Sequence, residues 1–261
     1  MTHIISVPPA IQKIINNRPY QKSEVGLSAS DLYLFSDCVL KIETINEESQ
    51  QEYKVMSWLQ GKLPVPNIIE TAYSDTHQYL LMSRLNGQMA EDKQFLQQPD
   101  VLIKTLAQGL KKLWVLDTQD CPFLCDLDYK LELAQKRIEQ GLCDIEDAET
   151  GTYGEEGFAD PAALLMWLKD NRPSETLVFS HGDYCFPNIF IENNDISGFI
   201  DFGRAGLSDV YQDIALCYRS ILHDLPSNKS INNYTNLLFD ELNLTPDWDK
   251  IRYYILLDEL F

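Results

Sequence analysis

Long apolar runs and a basic leader are both missing from this sequence. No run approaches the roughly 20 apolar residues that a membrane-crossing helix needs. The opening segment, MTHIISVPPAIQKIINN, has neither a basic stretch nor a small-residue cleavage site. We therefore expect the protein to stay in the cytoplasm.

Paired cysteines are also missing. The six cysteines are scattered without a repeated CxxC pair, so they fit neither a zinc-ribbon spacing nor a dense disulfide framework. We expect them to be reduced and mostly structural: Cys38, Cys121, Cys125, Cys143, Cys185 and Cys217.

Positive charge is scarce, because 21 Lys and Arg face 40 Asp and Glu and leave a formal net charge of −19. A field of that sign repels phosphate backbones and anionic membrane surfaces, which argues against nucleic-acid and membrane partners. Two interpretations stay open at this point. The acidity draws in a cationic ligand, or it only keeps the protein soluble.

The strand and helix patterns divide the chain into two unlike parts. The first part alternates short β-branched or aromatic runs at 32–35, 38–42 and 78–82 around one helical pattern at 47–60. The pattern changes near residue 85. We predict an α+β protein in which a small, mainly antiparallel sheet precedes a larger, mainly helical part.

The second part is predicted to be helical apart from a short strand-rich island at 177–202. Gly and carboxylates crowd the stretch 144–160, which is typical of an exposed loop. Ser208 is the predicted N-cap of the helix that follows the island. Helical patterns cover 101–116, 127–140, 161–169 and 209–222, with two further helices after them.

The most specific motif is HGDYCFPN at 181–188, followed by IDFG at 200–203. If Asn193-Asn194-Asp195 forms a tight turn, the flanking strands fold back and place Asn188 near Asp201. An amide oxygen beside a carboxylate is the hard-oxygen environment that suits Mg²⁺. Asp183 then faces the same point as a base for an attacking hydroxyl. The alternative is that these are ordinary hairpin polar residues.

These motifs resemble the catalytic core of eukaryotic-like kinases, and the HGD form resembles the aminoglycoside phosphotransferase and choline kinase branch. The resemblance implies a two-lobed kinase-like fold, with a nucleotide-binding lobe at 1–84 and a catalytic, substrate-binding lobe at 85–261. It also implies that Asp183 is the catalytic base and that Asn188 and Asp201 hold Mg²⁺.

A lysine and a glutamate form a candidate pair for the nucleotide phosphates. Lys41 falls within an apolar strand, and Glu52 shares an apolar helical face with Val55, Met56 and Leu59. The resemblance implies the kinase Lys–Glu ion pair that orients the α- and β-phosphates. Two snorkelling surface side chains are the alternative.

The rest of the predicted ATP or GTP site departs from protein kinases, because no GxGxxG loop is present. By resemblance, Ser28 in the segment GLSAS contacts phosphate instead, while the Ser83 carbonyl and the Leu85 amide bind the base. Val39 stands where related enzymes carry a stacking tyrosine, so the choice between ATP and GTP stays open.

The segment from Pro246 to Phe261 resembles the tail of aminoglycoside 3′-phosphotransferases, as do GKLPVP at 61–66 and DCPF at 120–123. The resemblance implies that carboxylates grip the ammonium groups of the drug. A run of acidic residues without Lys or Arg at 144–160 supports this, although a solvated loop is the alternative. The matching positions are Glu155, Glu156, Asp258, Glu259 and the carboxylate of Phe261.

Five further positions complete the implied site. His223 stands where relatives carry a glutamate, and Asp224 is the candidate substitute for that ammonium contact. Arg204 and Arg219 are candidate partners for the local carboxylates, although core packing is an equal alternative for Arg219. Asp213 is expected to hydrogen-bond the catalytic-loop backbone as a scaffold.

Together with these features, the resemblance implies transfer of the γ-phosphate of ATP or GTP, with Mg²⁺, to the 3′-hydroxyl of a cationic aminoglycoside antibiotic. We expect a monomer or weak dimer. A metabolic kinase of the same fold, acting on choline, homoserine or a fructosamine, is the nearest alternative. A non-catalytic binding module is the other, but Lys41, Asp183, Asn188 and Asp201 are all present.

Overall fold

The structure is a computed structural model that describes residues 6–23, 30–155, 157–226 and 231–261. Ser28 and Glu156, two of the predicted site residues, lie outside these ranges. Within them, no helix is long and apolar enough to cross a membrane.

The strands and helices follow the predicted order. The first part contains α1 (Pro9–Ile15), β1 (Gln21–Lys22), β2 (Asp31–Leu34), β3 (Cys38–Thr44), α2 (Glu47–Leu59), β4 (Ile68–Tyr73) and β5 (His77–Ser83). The second part contains β6 (Gln88–Met89), α3 (Lys93–Leu96), α4 (Pro99–Trp114), α5 (Leu127–Glu139), α6 (Pro161–Asp170), β7 (Leu177–Ser180), β8 (Ile189–Glu192), β9 (Asp195–Phe199), β10 (Gly206–Asp209), α7 (Val210–Asp224), α8 (Ile231–Leu242) and α9 (Trp248–Asp258).

An antiparallel sheet organises the first part, with strand order β1-β2-β3-β5-β4. In its centre Lys41 of β3 pairs with Leu80 of β5. The helix α2 begins at Asn46, whose side chain accepts the Ser49 amide in a reciprocal capping box, as N-terminal helix chemistry favours. The sheet, its crossing helix and the helical second part confirm the predicted α+β organisation.

The core continues from the sheet into the helices. Val55, Met56 and Leu59 of α2 are buried in the same hydrophobic cluster as residues of β5, α4, α7 and α9. The apolar stripe predicted on this helix therefore faces the interior. Because it does so, α2 is held between the sheet and the helical part.

The predicted N-cap of α7 is wrong by one residue. Ser208 belongs to β10, where it pairs with Val178 of β7, so its backbone is extended and inside a ladder. Asp209 caps the helix instead, because its carboxylate accepts the Tyr211 amide at 2.9 Å. Both residue types favour N-caps and both residues pair with β7, so the cap is Asp209 because it directly precedes Val210, the first residue of the helix.

A hairpin forms where the turn residues predicted it. Asn193 and Asn194 have φ of 53° and 62°, the left-handed values that a two-residue hairpin turn requires. Asp195 already pairs with Glu192, so it starts β9 and is not part of the turn. The strand β6 adds to the other edge of β8 and gives the order β6-β8-β9.

Candidate functional site

The loop between β7 and β8 is shaped by a glycine and a buried carboxylate. Gly182 has φ of +83°, and a Cβ there would stand 2.1 Å from the Arg204 carbonyl oxygen, so only glycine fits. Asp213 accepts hydrogen bonds from the His181 amide at 2.7 Å, the Gly182 amide at 3.0 Å and the Ser180 hydroxyl at 2.9 Å. Burial raises the pKa of Asp213, while His181 and these hydrogen bonds oppose the rise. The predicted contact with the loop backbone is therefore present.

Asp183 and Asn188 are in direct contact. The Asn188 Nδ2 group donates to Asp183 Oδ2 at 2.9 Å and to the Asp183 carbonyl at 3.1 Å. With Nδ2 engaged in this way, Oδ1 is the polar atom of the amide that remains for a ligand. Cys185 lies against the same amide, but burial, followed by Asp183, raises the pKa of its thiol. The thiol therefore stays protonated and is a poor metal ligand.

Asp201 reaches the same region from the far strand of the hairpin. The Ile200 amide donates to the Asn188 carbonyl at 3.0 Å, which puts Asp201 one residue beyond that pairing. Asp201 has φ of 65°, a left-handed value that costs a non-glycine residue energy, as often occurs at functional positions. Its carboxylate lies 3.7 Å from Lys41 Nζ. The hairpin thus places Asp201 next to the residue paired with Asn188, and the joint role of Asp183, Asn188 and Asp201 in phosphoryl transfer stays a prediction.

Lys41 and Glu52 form a buried ion pair, with Nζ 2.7 Å from Oε2 and side chains 9% and 3% exposed. Glu43 lies 3.3 Å from the same ammonium. Burial opposes the charge on Lys41, but Glu52, Asp201 and Glu43 outweigh it and raise the pKa of Lys41. Three carboxylates therefore surround one ammonium, and the surplus negative charge is complementary to a cation.

A side-chain hydrogen bond connects α2 to the catalytic half of the molecule. Gln51, beside Glu52, donates from Nε2 to the Ala205 carbonyl at 2.8 Å and also contacts Cys125. Both its position and its burial follow from the capped start of α2. The segment just after Asp201 and the helix that carries Glu52 are consequently bound to each other.

The oxygen donors fit a magnesium ion. Among the described residues, no three His, Cys, Asp or Glu side chains lie together as a metal-binding group. Mg²⁺ prefers oxygen donors and commonly uses one or two carboxylates with water and substrate phosphates. Asn188 Oδ1 and the Asp201 carboxylate are the donors of the right chemical type.

The segment predicted to bind the nucleobase follows the last strand of the sheet. Ser83 ends β5, and its hydroxyl accepts the Asn67 amide at 2.9 Å. The Leu85 side chain packs on Gly198, where an added Cβ would stand 2.4 Å from Leu85 Cδ1. Both residues are thus fixed beside the hairpin, and their contact with a base stays a prediction.

Near the end of the chain, Asp258 sits between two guanidinium groups. Arg204 Nη1 lies 2.9 Å from Oδ1, and Arg219 Nη2 lies 2.5 Å from Oδ2. Burial alone would raise the pKa of Asp258, but Arg204 and Arg219 outweigh it and the pKa is lowered. The partners predicted for the local carboxylates are therefore correct. Asp258 holds these arginines, and its contact with a substrate stays a prediction.

Glu259 extends this network outward to a residue that the sequence argument did not select. Its Oε1 lies 3.9 Å from Arg219 Nη1, and its Oε2 accepts the Glu149 amide at 3.1 Å. Burial raises the pKa of Glu259 to about 7. Glu149 Oε1 in turn lies 2.9 Å from His223 Nε2. The only sequence signal for Glu149 was its membership in the acidic run.

The structure also describes Glu155, Asp224 and Phe261 among the predicted substrate residues, and their contact with a substrate stays a prediction. Glu155 is exposed on the acidic loop. Asp224 follows His223, and burial raises the pKa of its carboxyl. The Phe261 main-chain oxygen accepts from Arg137 Nη2, and Arg137 and Arg204 both lie near the Phe261 ring.

A cavity of about 360 Å³ opens beside these groups. Gly182 and Gly203 line it on the catalytic side, and Asp258 and Phe261 line it at the end of the chain. Sequence reasoning missed Lys130, a buried lysine in its wall whose Nζ donates to Gln212 at 2.9 Å. Burial lowers the pKa of Lys130.

The fold and this centre define the chain as a phosphotransferase. The model of the family described as "Phosphotransferase enzyme family" matches residues 25–254. An aminoglycoside phosphotransferase from Streptomyces rimosus has the same fold, with a TM-score of 0.84 at 20% identity over 96% of this chain and 95% of that one. Its complex with ADP and streptomycin aligns with a TM-score of 0.81, also at 20% identity, over 96% and 97% of the two chains.

Relatives with a similar sequence show which phosphotransferase family this is. The aminoglycoside 3′-phosphotransferase of Enterococcus faecalis is 36% identical over 98% of this chain and 98% of its own length. That of Niallia circulans is 40% identical over 80% of this chain and 78% of its own length. The chain belongs to the aminoglycoside 3′-phosphotransferase family.

Proposed function

We propose that this protein transfers the γ-phosphoryl group of ATP or GTP to the 3′-hydroxyl of an aminoglycoside and thereby confers resistance. The observation that carries the proposal is the contact of Asp183 with Asn188 next to the Lys41–Asp201 pair. A base, an amide and a carboxylate beside a buried lysine form the minimal set for phosphoryl transfer. Because the reaction consumes a nucleoside triphosphate, we place it in the cytoplasm.

Asp183 orients and deprotonates the attacking hydroxyl. Asn188 Nδ2 holds Asp183 Oδ2, so the carboxylate is fixed in one rotamer. Its other oxygen is then available to accept the hydroxyl proton, as a positioned general base requires. Asp213 supports this geometry from behind by fixing the His181 and Gly182 amides.

Lys41 binds the α- and β-phosphates. Its ammonium stays charged because the surrounding carboxylates raise its pKa, and Glu52 fixes its direction at 2.7 Å. Asn188 and Asp201 would hold Mg²⁺, which supplies neutralisation of the phosphate charge when bound. The surplus of carboxylates over lysine at this point supports that assignment.

An aminoglycoside is the acceptor that the remaining groups favour. Glu149, Glu155, Asp224 and Glu259 present carboxylates near the end of the acidic loop, and ammonium groups are their natural partners. The Streptomyces rimosus enzyme of the same fold was solved with ADP and streptomycin, an aminoglycoside. A quaternary ammonium such as choline would instead need an aromatic cage.

ADP release in the presence of ATP and Mg²⁺ tests the function, with kanamycin, amikacin, neomycin and choline as acceptors. We expect turnover with kanamycin or neomycin, and phosphorus NMR of the product should locate the new ester on the 3′-oxygen. An aminoglycoside without the 3′-hydroxyl is the negative control. Turnover with choline alone would assign the protein to the metabolic kinases instead.

Substitution of the base tests its role. Asp183→Asn should lower kcat by about 10²–10⁴-fold, because general-base assistance is lost while the shape of the side chain is kept. ATP binding, measured by calorimetry, should remain. Asp128→Asn, on an exposed face of α5, is the charge-matched control. Near-normal turnover by Asp183→Asn would contradict the assignment.

A further inference from the structure

The outermost residue of the acidic network is a histidine, His223, which contacts Glu149. His223 Nε2 lies 2.9 Å from Glu149 Oε1, with the two side chains 56% and 32% exposed. His223 is in the last turn of α7, whereas Glu149 is on the acidic loop, and its amide is held by Glu259. The pair therefore joins two separate segments at the outer end of the network that begins at Asp258.

The cations in this network differ in one property. Arg204 and Arg219, which hold the inner carboxylate of Asp258, stay charged at every physiological pH. His223 is an imidazole, the side chain whose charge ordinarily changes between about pH 5 and 8. Glu149 is therefore paired with an imidazole and not with a guanidinium.

Among the residues that the structure describes, the charged groups around His223 do not supply Glu149 with another cation. Asp224 is adjacent to His223 on α7, and Glu91, ahead of α3, acts on Asp224. Arg219, one turn earlier on α7, is directed to Asp258 and Glu259. Within the described part of the chain, His223 is thus the cation paired with Glu149.

We propose that His223 is a specificity-determining residue of the drug site: in its protonated form it occupies Glu149 in place of a substrate ammonium. The inference rests on the proposed function, since it concerns the same acceptor site. An exposed ion pair contributes roughly 0.2–1 kcal/mol, which corresponds to at most about a fivefold change in KM. The pair is therefore weak enough for substrate to displace, yet strong enough to weaken drug binding at low pH.

The test measures kcat and KM for kanamycin at about pH 6 and about pH 8, across the range in which imidazoles titrate. At the lower pH, His223→Gln should bind kanamycin about two- to fivefold more tightly than the wild type, from the stability of exposed pairs. At the higher pH the two KM values should agree, and kcat should be the same throughout. Substrate amines and Glu259 titrate in both proteins, so the difference in KM between the wild type and His223→Gln reports the effect of His223 alone.

Two further variants separate this route from others. His77→Gln changes a half-buried imidazole at the start of β5, next to Thr76, and should keep the wild-type pH profile. In a Glu149→Gln background, the added His223→Gln substitution should leave KM unchanged at both pH values. A full low-pH effect in that background would overturn the proposal, because His223 would then act on another group.

The outcomes also distinguish this inference from the function on which it rests. If the wild type phosphorylates kanamycin and His223→Gln has the same KM as the wild type at both pH values, the role of His223 is overturned and the proposed function stands. If the wild type transfers no phosphate to any aminoglycoside, the proposed function fails, and the role of His223 fails with it.

Discussion

At the scale of single residues, the site depends on carboxylates whose surroundings assign them different tasks. Asp183 is fixed by one amide, Asp213 accepts three hydrogen bonds in the interior, and Asp258 lies between two arginines. Each position was selected from the sequence by a motif. The Asp258 partners Arg219 and Arg204 lie 39 and 54 residues away in the chain. No local sequence pattern encodes such distant contacts.

Asp213 should be sensitive to the loss of one acceptor oxygen. Asp213→Asn places an amide N–H against backbone N–H groups and leaves buried donors unsatisfied, at a cost of about 1–3 kcal/mol each. We expect a loss of that order in the free energy of unfolding by urea, together with a lower kcat. Asp240→Asn, an exposed change of equal charge on α8, is the control. Equal stability of the two variants would exclude a scaffolding role.

At the scale of elements, the hairpin shows where local sequence is sufficient. Two consecutive asparagines tolerate left-handed backbone, and the alternating residues on each side pair across the turn. The start of α7 shows where it is not, because Ser208 and Asp209 are both good caps and both pair with β7, and only the residue at which β10 ends selects Asp209. Strand register is a non-local property, so caps beside strands are poorly predicted.

The hairpin turn offers a direct test of this argument. Asn194→Ala should destabilise the fold by about 1 kcal/mol, because the left-handed backbone is sterically unfavourable for alanine and less so for asparagine. Asn194→Gly should be at least as stable as the wild type. The residue is exposed, so activity should change in neither variant. Urea unfolding measures the difference, and an unchanged alanine variant would contradict the turn assignment.

At the scale of the whole molecule, the composition alone did not decide what the acidity does. The net charge of −19 left two interpretations open, and the family supports the one in which acidic groups attract a cationic ligand. The sequence located the acidic loop but selected Glu155 and Glu156 in it, whereas the structure connects Glu149 to Glu259 across 110 residues. Only the folded path of the loop determines which of its carboxylates face α7.

Drug binding should weaken as salt is added. Screening lengths fall from roughly 10 Å at 0.1 M to about 3 Å at 1 M ionic strength, which reduces carboxylate–ammonium attraction. We expect KM for kanamycin to rise across that range, and Glu259→Gln to show a shallower rise because one carboxylate is removed. A salt-independent KM in the wild type would contradict an electrostatic acceptor site.

The hydrogen bond from Gln51 to the Ala205 carbonyl connects α2 to the segment that follows Asp201. Regulated protein kinases switch by moving the helix that carries the glutamate of the ion pair. Here that helix is fastened to the segment beyond Asp201, and Glu52 already reaches Lys41. The glutamate that orients the lysine is therefore in place without any movement of α2.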